Sequence, residues 1–277
     1  MKTLFISDLH LDLYSCLTDN ESLLRESYGT FADRYLTPAD AICIAGDLAD
    51  YEGLEVAFLK YVAGLYGKVY FVHGNHDLVV KRIYPGRRFV TSEERKDYVR
   101  KMLSGFDNVY ILDGHVSDDG LVGGAMGMCD LSYRPPDQES FDAYGFWAKT
   151  WFDGRNWNYC GQVLPDIMRG EFEKLELVCR ARPRIVMTHF CPLQMGIGEE
   201  YRSDPKTAMF YFDAARYMDM LDDGTIWACG HTHGQHDTVY TNSAGNRIRI
   251  VCNPLGGPEE RNAFALCRDA GTYLADV

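Results

Sequence analysis

Short apolar runs alternate with helical periodicity along the first part of the chain. Residues 3–7, 41–45 and 68–72 are apolar, rich in strand-forming side chains and bounded by polar ones, the pattern of buried strands. Between them, Leu23, Leu24, Tyr28 and Phe31 share one helical face behind a capping-box pattern, Thr18-x-x-Glu21. Leu54, Ala57, Phe58, Tyr61, Val62 and Leu65 share another, stopped by Gly67. Strand, helix, strand, helix, strand calls for parallel strands with right-handed crossovers, whose carboxyl ends lie on one rim of the sheet.

Further on, residues 91–103 predict a charged helix with Tyr98, Val99, Met102 and Leu103 inward and the run Glu93-Glu94-Arg95-Lys96-Asp97 as its solvated face. Strands are expected at 109–112 and 121–128. A helix-rich insert is expected at about 131–180; its first thirty residues hold nine aromatics, and Phe141, Tyr144, Ala148 and Trp151 fall on one helical face. That insert reads either as a locally packed unit or as a cap facing substrate. A helix at 171–179 is broken by Pro183, followed by a strand at 184–188, a helix at 206–221 and a strand at 225–229. Residues 239–240 and 247–252 predict a β-pair across an Asn-rich turn, and 264–267 with 272–277 are expected to close a second sheet.

Composition narrows the class. With 277 residues, 46% hydrophobic and 25% charged, the chain reads as one globular α/β domain, 1–277, carrying the insert. Only four core-type residues precede the first acidic one, too few for a secretory leader, and no apolar run reaches membrane-spanning length, so a cytoplasmic protein with no membrane partner is expected. Nine cysteines, with no Cys-x-x-Cys pair, include Cys43, Cys229 and Cys252 inside apolar runs and read as buried free thiols. A net charge of −12 repels a polyanion and argues against nucleic acid as a partner.

The polar residues that end the strands carry the chemistry. The first strand runs into Asp8-Leu9-His10, the second into Gly46-Asp47-Leu48-Ala49-Asp50, the third into Gly74-Asn75-His76-Asp77; later strands end in His189 and in Gly230-His231-Thr232-His233. Asp8 and His10, one residue apart on an expected extended backbone, should point the same way. Five of the eight histidines fall in these motifs, which random scatter would rarely give. Imidazoles, carboxylates and one amide oxygen without thiolate suit divalent ions such as Mn, Fe or Zn. Asp8, His10, Asp47, Asn75, His189, His231 and His233 are too many for one tetrahedral site and suit two ions sharing a bridge.

In order and spacing these motifs resemble the calcineurin-like metallophosphoesterases, from residue 8 to residue 233. The resemblance implies a four-layer αββα fold, a sandwich of two sheets flanked by helices, with two divalent metals at the sheets' upper edge. It implies that Asp8, His10 and His233 hold one metal, that Asn75, His189 and His231 hold the other, and that Asp47 bridges them. His76 would stand beside the substrate phosphate with Asp50 orienting it, and a hydroxide between the metals would attack phosphorus in line. The Ser/Thr protein phosphatases of this family carry arginines where this chain has Tyr51 and the run Leu78-Val79-Val80. That departure favours a phosphodiester or a small phosphorylated metabolite over phosphoprotein.

The remaining candidates carry weaker expectations. His73 is read as core-facing, His115 as solvated and His236 as a loop surface residue; Arg134 and Arg155 are the first cations to consider for phosphate contact. Alternative functions are a protein phosphatase or nuclease of the same family, or a non-catalytic scaffold using the aromatic insert as a partner or oligomer surface. Retention of all seven candidate ligands and of His76 argues against the scaffold.

Overall fold

The computed structural model describes residues 1–14, 17–81, 89–135, 140–193, 197, 199–258 and 274–276. Among them, the amino-terminal half builds a five-stranded sheet. Its strands are β1 (Lys2–Ile6), β2 (Ala41–Ala45), β3 (Lys68–Val72) and β4 (Val109–Ile111), parallel and in that order, with β11 (Leu274–Asp276) antiparallel on the outer edge of β1. Helices α1 (Leu24–Tyr35), α2 (Glu52–Ala63) and α3 (Ser92–Leu103) supply the connections. The second sheet has the order β5 (His115–Val116), β6 (Val122–Gly124), β7 (Ile185–Met187), β8 (Ile226–Cys229), β10 (Arg247–Cys252), β9 (His236–Thr241). Its helices are α4 (Ala143–Lys149), α5 (Phe152–Asn156), α6 (Leu164–Arg180) and α7 (Ala215–Met218).

Strands buried on both faces need cover on both, and three apolar clusters provide it. Phe5, Cys43, Tyr70, Val72, Val122, Met187, Ala228 and Val251 pack between the sheets. Ile6, Ile42, Ile44 and Phe71 meet Tyr28, Phe31, Phe58 and Val99 of α1 to α3 on one outer face, and Val186, Trp227 and Ile250 meet Trp147, Leu175, Val178 and Tyr217 on the other. The result is two sheets flanked by helices, as expected.

Several local expectations are corrected. Asn20, not Thr18, caps the approach to α1: its side chain accepts from Ser22 N at 3.1 Å, while Thr18 Oγ1 accepts from Asn20 N. The capping box belongs to α3, where Thr91 and Glu94 satisfy each other's backbone N–H groups. On α3 the supposed solvated face contains Arg95 and Lys96, 0% and 3% exposed, while Met102 is 36% exposed. Asp142 caps α4 and fixes its phase, so Ala143 and Trp147 go inward and Tyr144 outward, not the face containing Tyr144 and Ala148. Residues 206–221 form a 3-10 turn (Pro205–Met209), an isolated bridge from Tyr211 to Cys191, and α7, instead of one helix. In the region 121–128 only β6 is strand. β11 extends the first sheet, not the second, and residues 264–267 lie outside the described residues.

Candidate active site

The ends of β1, β2 and β3 meet the ends of β7 and β8 at one rim, and the backbone there is bent in an unusual way. Asp8 (φ 53°), His10 (φ 42°), Asp47 (φ 57°), His231 (φ 69°) and His233 (φ 50°) are all left-handed, five of the eight described non-glycine residues that are. Each such residue costs about 1 kcal/mol or more, and strain of this kind concentrates where geometry is needed for function. Asp8 and His10 therefore converge through two tight bends, not along an extended strand as expected. Close approach of the loops depends on Gly46 (φ 84°): a Cβ there would sit 2.7 Å from the Gly74 backbone and 2.6 Å from His189 Nδ1.

The candidate ligands come together in overlapping groups. Donor atoms of Asp8, His10 and His233 lie within 4.8 Å of one another, as do those of Asp47, His189 and His231, and those of His10, Asp47 and His76. Asn75 Oδ1 joins the second group, 2.9 Å from His189 Nε2. His189 Nδ1 donates to Ala45 O at 2.8 Å and His231 Nε2 donates to Met209 O at 3.2 Å, leaving the inward nitrogens as acceptors when the rings are neutral. His10 Nε2 and His233 Nε2 face each other at 3.0 Å, an arrangement that needs a shared proton or a cation between them.

The donor set fits divalent metal. Asp8 and Asp47 are 0% and 1% exposed, and among the described residues neither pairs with lysine or arginine; imidazoles and the backbone N–H groups of His231 and His76 approach them. Burial would raise the Asp47 carboxyl, but His189 and His76 hold it well below the usual carboxylate range. Burial disfavours a charged His189, yet Asp47 at 3.2 Å pushes it up to about 10. Buried carboxylates that draw protons onto their neighbours in this way draw metal cations equally well. His231 is held well below its usual value, by burial first and by His189, as a neutral ligand requires.

His76 sits at the edge of this group. Its Nδ1 lies 2.6 Å from Asp50 Oδ1, its ring stacks on Phe152 at 4.4 Å and meets His10 edge-on at 4.7 Å. Burial works against its charge, but Asp47 and the hydrogen bond to Asp50 outweigh that and push it up to about 9. Its Nδ1 is thus tied to a carboxylate while its Nε2 remains for the cavity.

Four supporting residues escaped the sequence reading. Asp77 takes the backbone N–H groups of Asp47, Leu48, Ala49 and Gly74 at 2.7–3.2 Å, so one carboxylate shapes two candidate-ligand loops. Asp153 accepts from the Asn75 amide at 2.8 Å, which turns Oδ1 inward, and Trp157 Nε1 donates to Asn75 O at 2.8 Å. Arg95 donates to the carbonyls of Ala49, Asp50, His76 and Val79 and pairs with Glu55 at 2.9 Å. The Gly-Asn-His-Asp segment displayed Asp77 in sequence, but only the fold shows which amides it serves.

A cavity of about 480 Å³ opens over the group, lined by Asp47, Asn75, His76, His231 and His233 below and by Trp151, Phe152, Phe210 and Lys206 at its walls. Arg134 and Arg155 are not among its lining residues; Arg134 donates to Leu131 O and Tyr133 O, and Lys206 is the basic residue there. Trp151 reaches the cavity and Trp147 is buried in the core. His73 is buried and His115 exposed, as expected, but His236 is half-buried against Cys229 and is no loop surface residue.

No helix among the described residues is long and apolar enough to cross a membrane. A model of the calcineurin-like phosphoesterase family matches residues 1–235. Symmetrical bis(5'-nucleosyl)-tetraphosphatases from Buchnera aphidicola subsp. Schizaphis graminum and subsp. Acyrthosiphon pisum are 29% and 30% identical over 113 residues. Those alignments cover 41% of this chain, which spans little more than a third (37% and 36%) of those relatives. The crystal structure of a phosphopantetheinyl hydrolase from Mycobacterium tuberculosis shares the fold over 100% of this chain and 95% of its own, with a TM-score of 0.67 and 19% identity. With the family matched over residues 1–235, a stretch that holds every candidate ligand, the chain belongs to the calcineurin-like phosphoesterases, metal-dependent hydrolases of phosphoester bonds.

Proposed function

We propose that this phosphoesterase acts on a phosphodiester or a small phosphorylated metabolite through two divalent ions, Mn, Fe or Zn. Asp8, His10 and His233 would hold one, Asn75, His189 and His231 the other, and Asp47 both. The observation that carries the reading is the pair of donor groups, joined through His10 and Asp47, at the floor of an aromatic-walled cavity, with His76 fixed by Asp50 at its edge. When bound, such a pair of ions polarises phosphoryl oxygens and makes water acidic enough to serve as a nucleophile near neutral pH.

The chain's own residues supply the rest. His76, charged and held through Nδ1, donates from Nε2 to the leaving oxygen. Phe152 stacks on its ring and limits its rotation. Trp151 and Phe210 offer flat surface to a base or aryl substituent, and the buried Trp151 Nε1 has no hydrogen-bond partner among the described residues. Lys206 is placed to meet a second phosphate or acidic group. A monoester dianion on a protein surface would need cationic clamps that Tyr51 and Leu78-Val79-Val80 do not provide.

The deciding experiment compares kcat/KM across a dinucleoside tetraphosphate, a phosphopantetheinyl diester, a bis-aryl diester, nitrophenyl phosphate and a phosphopeptide, with Mn, Fe, Zn and Mg added separately. Preference for one of the first three by at least about tenfold is expected. The same preference for the phosphopeptide or the simple monoester overturns the reading.

A further inference from the structure

A second cluster of metal-binding side chains lies in the six-stranded sheet and takes no part in the chemistry above. Cys229 ends β8, Cys252 ends β10 and His236 opens β9; Cys252 is the register partner of both Cys229 and His236. Cys191 follows β7 at its bridge to Tyr211. The Sγ atoms of Cys191 and Cys229 and Nε2 of His236 lie within 4.8 Å of one another, with Nε2 4.0 Å from Cys229 Sγ. His236 Nδ1 donates to Gly234 O at 3.1 Å, which leaves Nε2 with its lone pair toward the sulfurs. The three cysteines are at most 1% exposed and His236 is half-buried, so an ion would enter past the imidazole and then be enclosed.

We propose that Cys191, Cys229 and His236 form a separate structural site for one zinc ion, with Cys252, beside Cys229 and His236 in the sheet but outside their 4.8 Å group, turning in as fourth ligand. Zinc–sulfur bonds of about 2.3 Å and zinc–nitrogen bonds of about 2.0–2.1 Å put tetrahedral ligands roughly 3.5–3.8 Å apart, less than the 4.0 Å between Cys229 Sγ and His236 Nε2 and the 4.8 Å limit of the group, so binding draws these side chains together. Thiolates select a softer ion than the oxygen and nitrogen donors of the other site. Cys229 and His236 bracket residues 230–235, the loop that carries His231 and His233, and Cys252 Sγ lies 3.7 Å from Thr232 Oγ1 within that loop. Zinc there fastens both ends of the loop, whose two histidines are left-handed, and so opposes its relaxation. Each bound cysteine gives up its thiol proton as the Zn–S bond forms, with no change of oxidation state.

The test uses the full chain in a Cys160→Ser background, which removes the one exposed thiol among the described residues, under reductant throughout. Metal-free protein is titrated with Co(II). The expected result is one equivalent giving a thiolate-to-cobalt charge-transfer band in the near ultraviolet, displaced by Zn(II), and further equivalents without it. Asp47→Asn keeps the band; Cys191→Ser and His236→Gln each lose it or need at least tenfold more Co(II). Circular dichroism checks the fold of each variant, and His236→Gln, half-buried at a strand end, decides if Cys191→Ser does not fold. Absence of the band in the parent, or its persistence unchanged in His236→Gln, overturns the site.

Discussion

His76 Nδ1 and Asp50 Oδ1 lie 2.6 Å apart, with the Asp50 side chain 2% and the His76 side chain 26% exposed. The pair joins the loop after β2 to the loop after β3, and Arg95 braces both through their carbonyls. With the carboxylate present His76 is pushed up to about 9, against burial. Asp50→Asn removes the charge and should lower that value. If protonated His76 is the acid, the rate falls as pH rises through its pKa, so the alkaline limb of kcat/KM should move to lower pH with the same metal. An unchanged limb would separate His76 from the proton transfer. The linked stability has the same sign: in metal-free protein the pair stabilises the fold fully below about pH 6.5 and progressively less as pH rises through about 9. Thermal melts of Asp50→Asn should show a smaller loss at lower pH, since Asp47 still favours the charged ring.

Replacing the imidazole itself asks whether it serves the leaving group. His76→Ala should cost about 10²- to 10⁴-fold in kcat, the range for a positioned general acid. The loss should be larger for an alkoxide than for nitrophenolate, which leaves without help. Metal content should stay unchanged, because Nδ1 is engaged with Asp50. Equal losses on both leaving groups would make His76 a binding residue, and loss of metal would make it a ligand, which its place in a group with His10 and Asp47 allows geometrically.

Asp47 occurs in two of the donor groups, so its removal should affect both ions at once. Asp47→Asn is expected to abolish activity and to reduce the Mn(II) or Zn(II) bound outside the thiolate cluster. Metal-free wild-type protein should gain thermal stability on adding Mn(II), since an ion that binds only the folded state stabilises it by about 2.7 kcal/mol at a hundredfold excess over Kd. The gain should largely vanish in the variant. Elemental analysis showing one ion or none at the binuclear centre of active wild-type protein would refute the shared-bridge arrangement.

What the sequence made legible were features written in one stretch of chain. β2 and β3 were read at their observed bounds because each is an unbroken apolar run with polar residues at its end. The clustering of the seven candidate ligands followed, since parallel strands end at one rim. Arg95 and Lys96 were misread because five charges in a row look solvated, whereas partners distant in sequence draw them in: Glu55 and loop carbonyls for Arg95, and Asp113, beside the local Glu93, for Lys96. Tertiary pairing of that kind leaves no periodicity. The face of α4 was misread by one position because Asp142 fixes its start, and the supposed helix at 206–221 failed because Tyr211 is drawn into a bridge with Cys191. The thiol cluster was invisible for the same reason: its members are spread from residue 191 to residue 252, and only strand register puts Cys229, Cys252 and His236 in one row, with Cys191 brought beside them after β7.

The two neighbouring tryptophans of the insert separate substrate contact from packing. Trp151 lines the cavity and meets Phe210 edge-on at 5.5 Å, while Trp147 is 7% exposed and packs against Trp157 at 6.0 Å. Stacking of a base on an aromatic side chain is worth about 1–3 kcal/mol, which corresponds to roughly 5- to 150-fold in affinity. Trp151→Ala should therefore raise KM for diesters bearing a base or aryl group within that range, and should leave a small alkyl phosphate nearly unaffected. Trp147→Ala should instead lower the melting temperature through the cavity it opens, by about 3–5 kcal/mol of stability, with substrate ranking intact. Kinetics on a paired aryl and alkyl substrate, with melts of both variants, distinguish the cases. If Trp151→Ala changes only stability, the wall of the cavity is packing and the preference for a stacking substituent is wrong; if Trp147→Ala changes the ranking, selectivity resides in the position of the insert instead of in one ring.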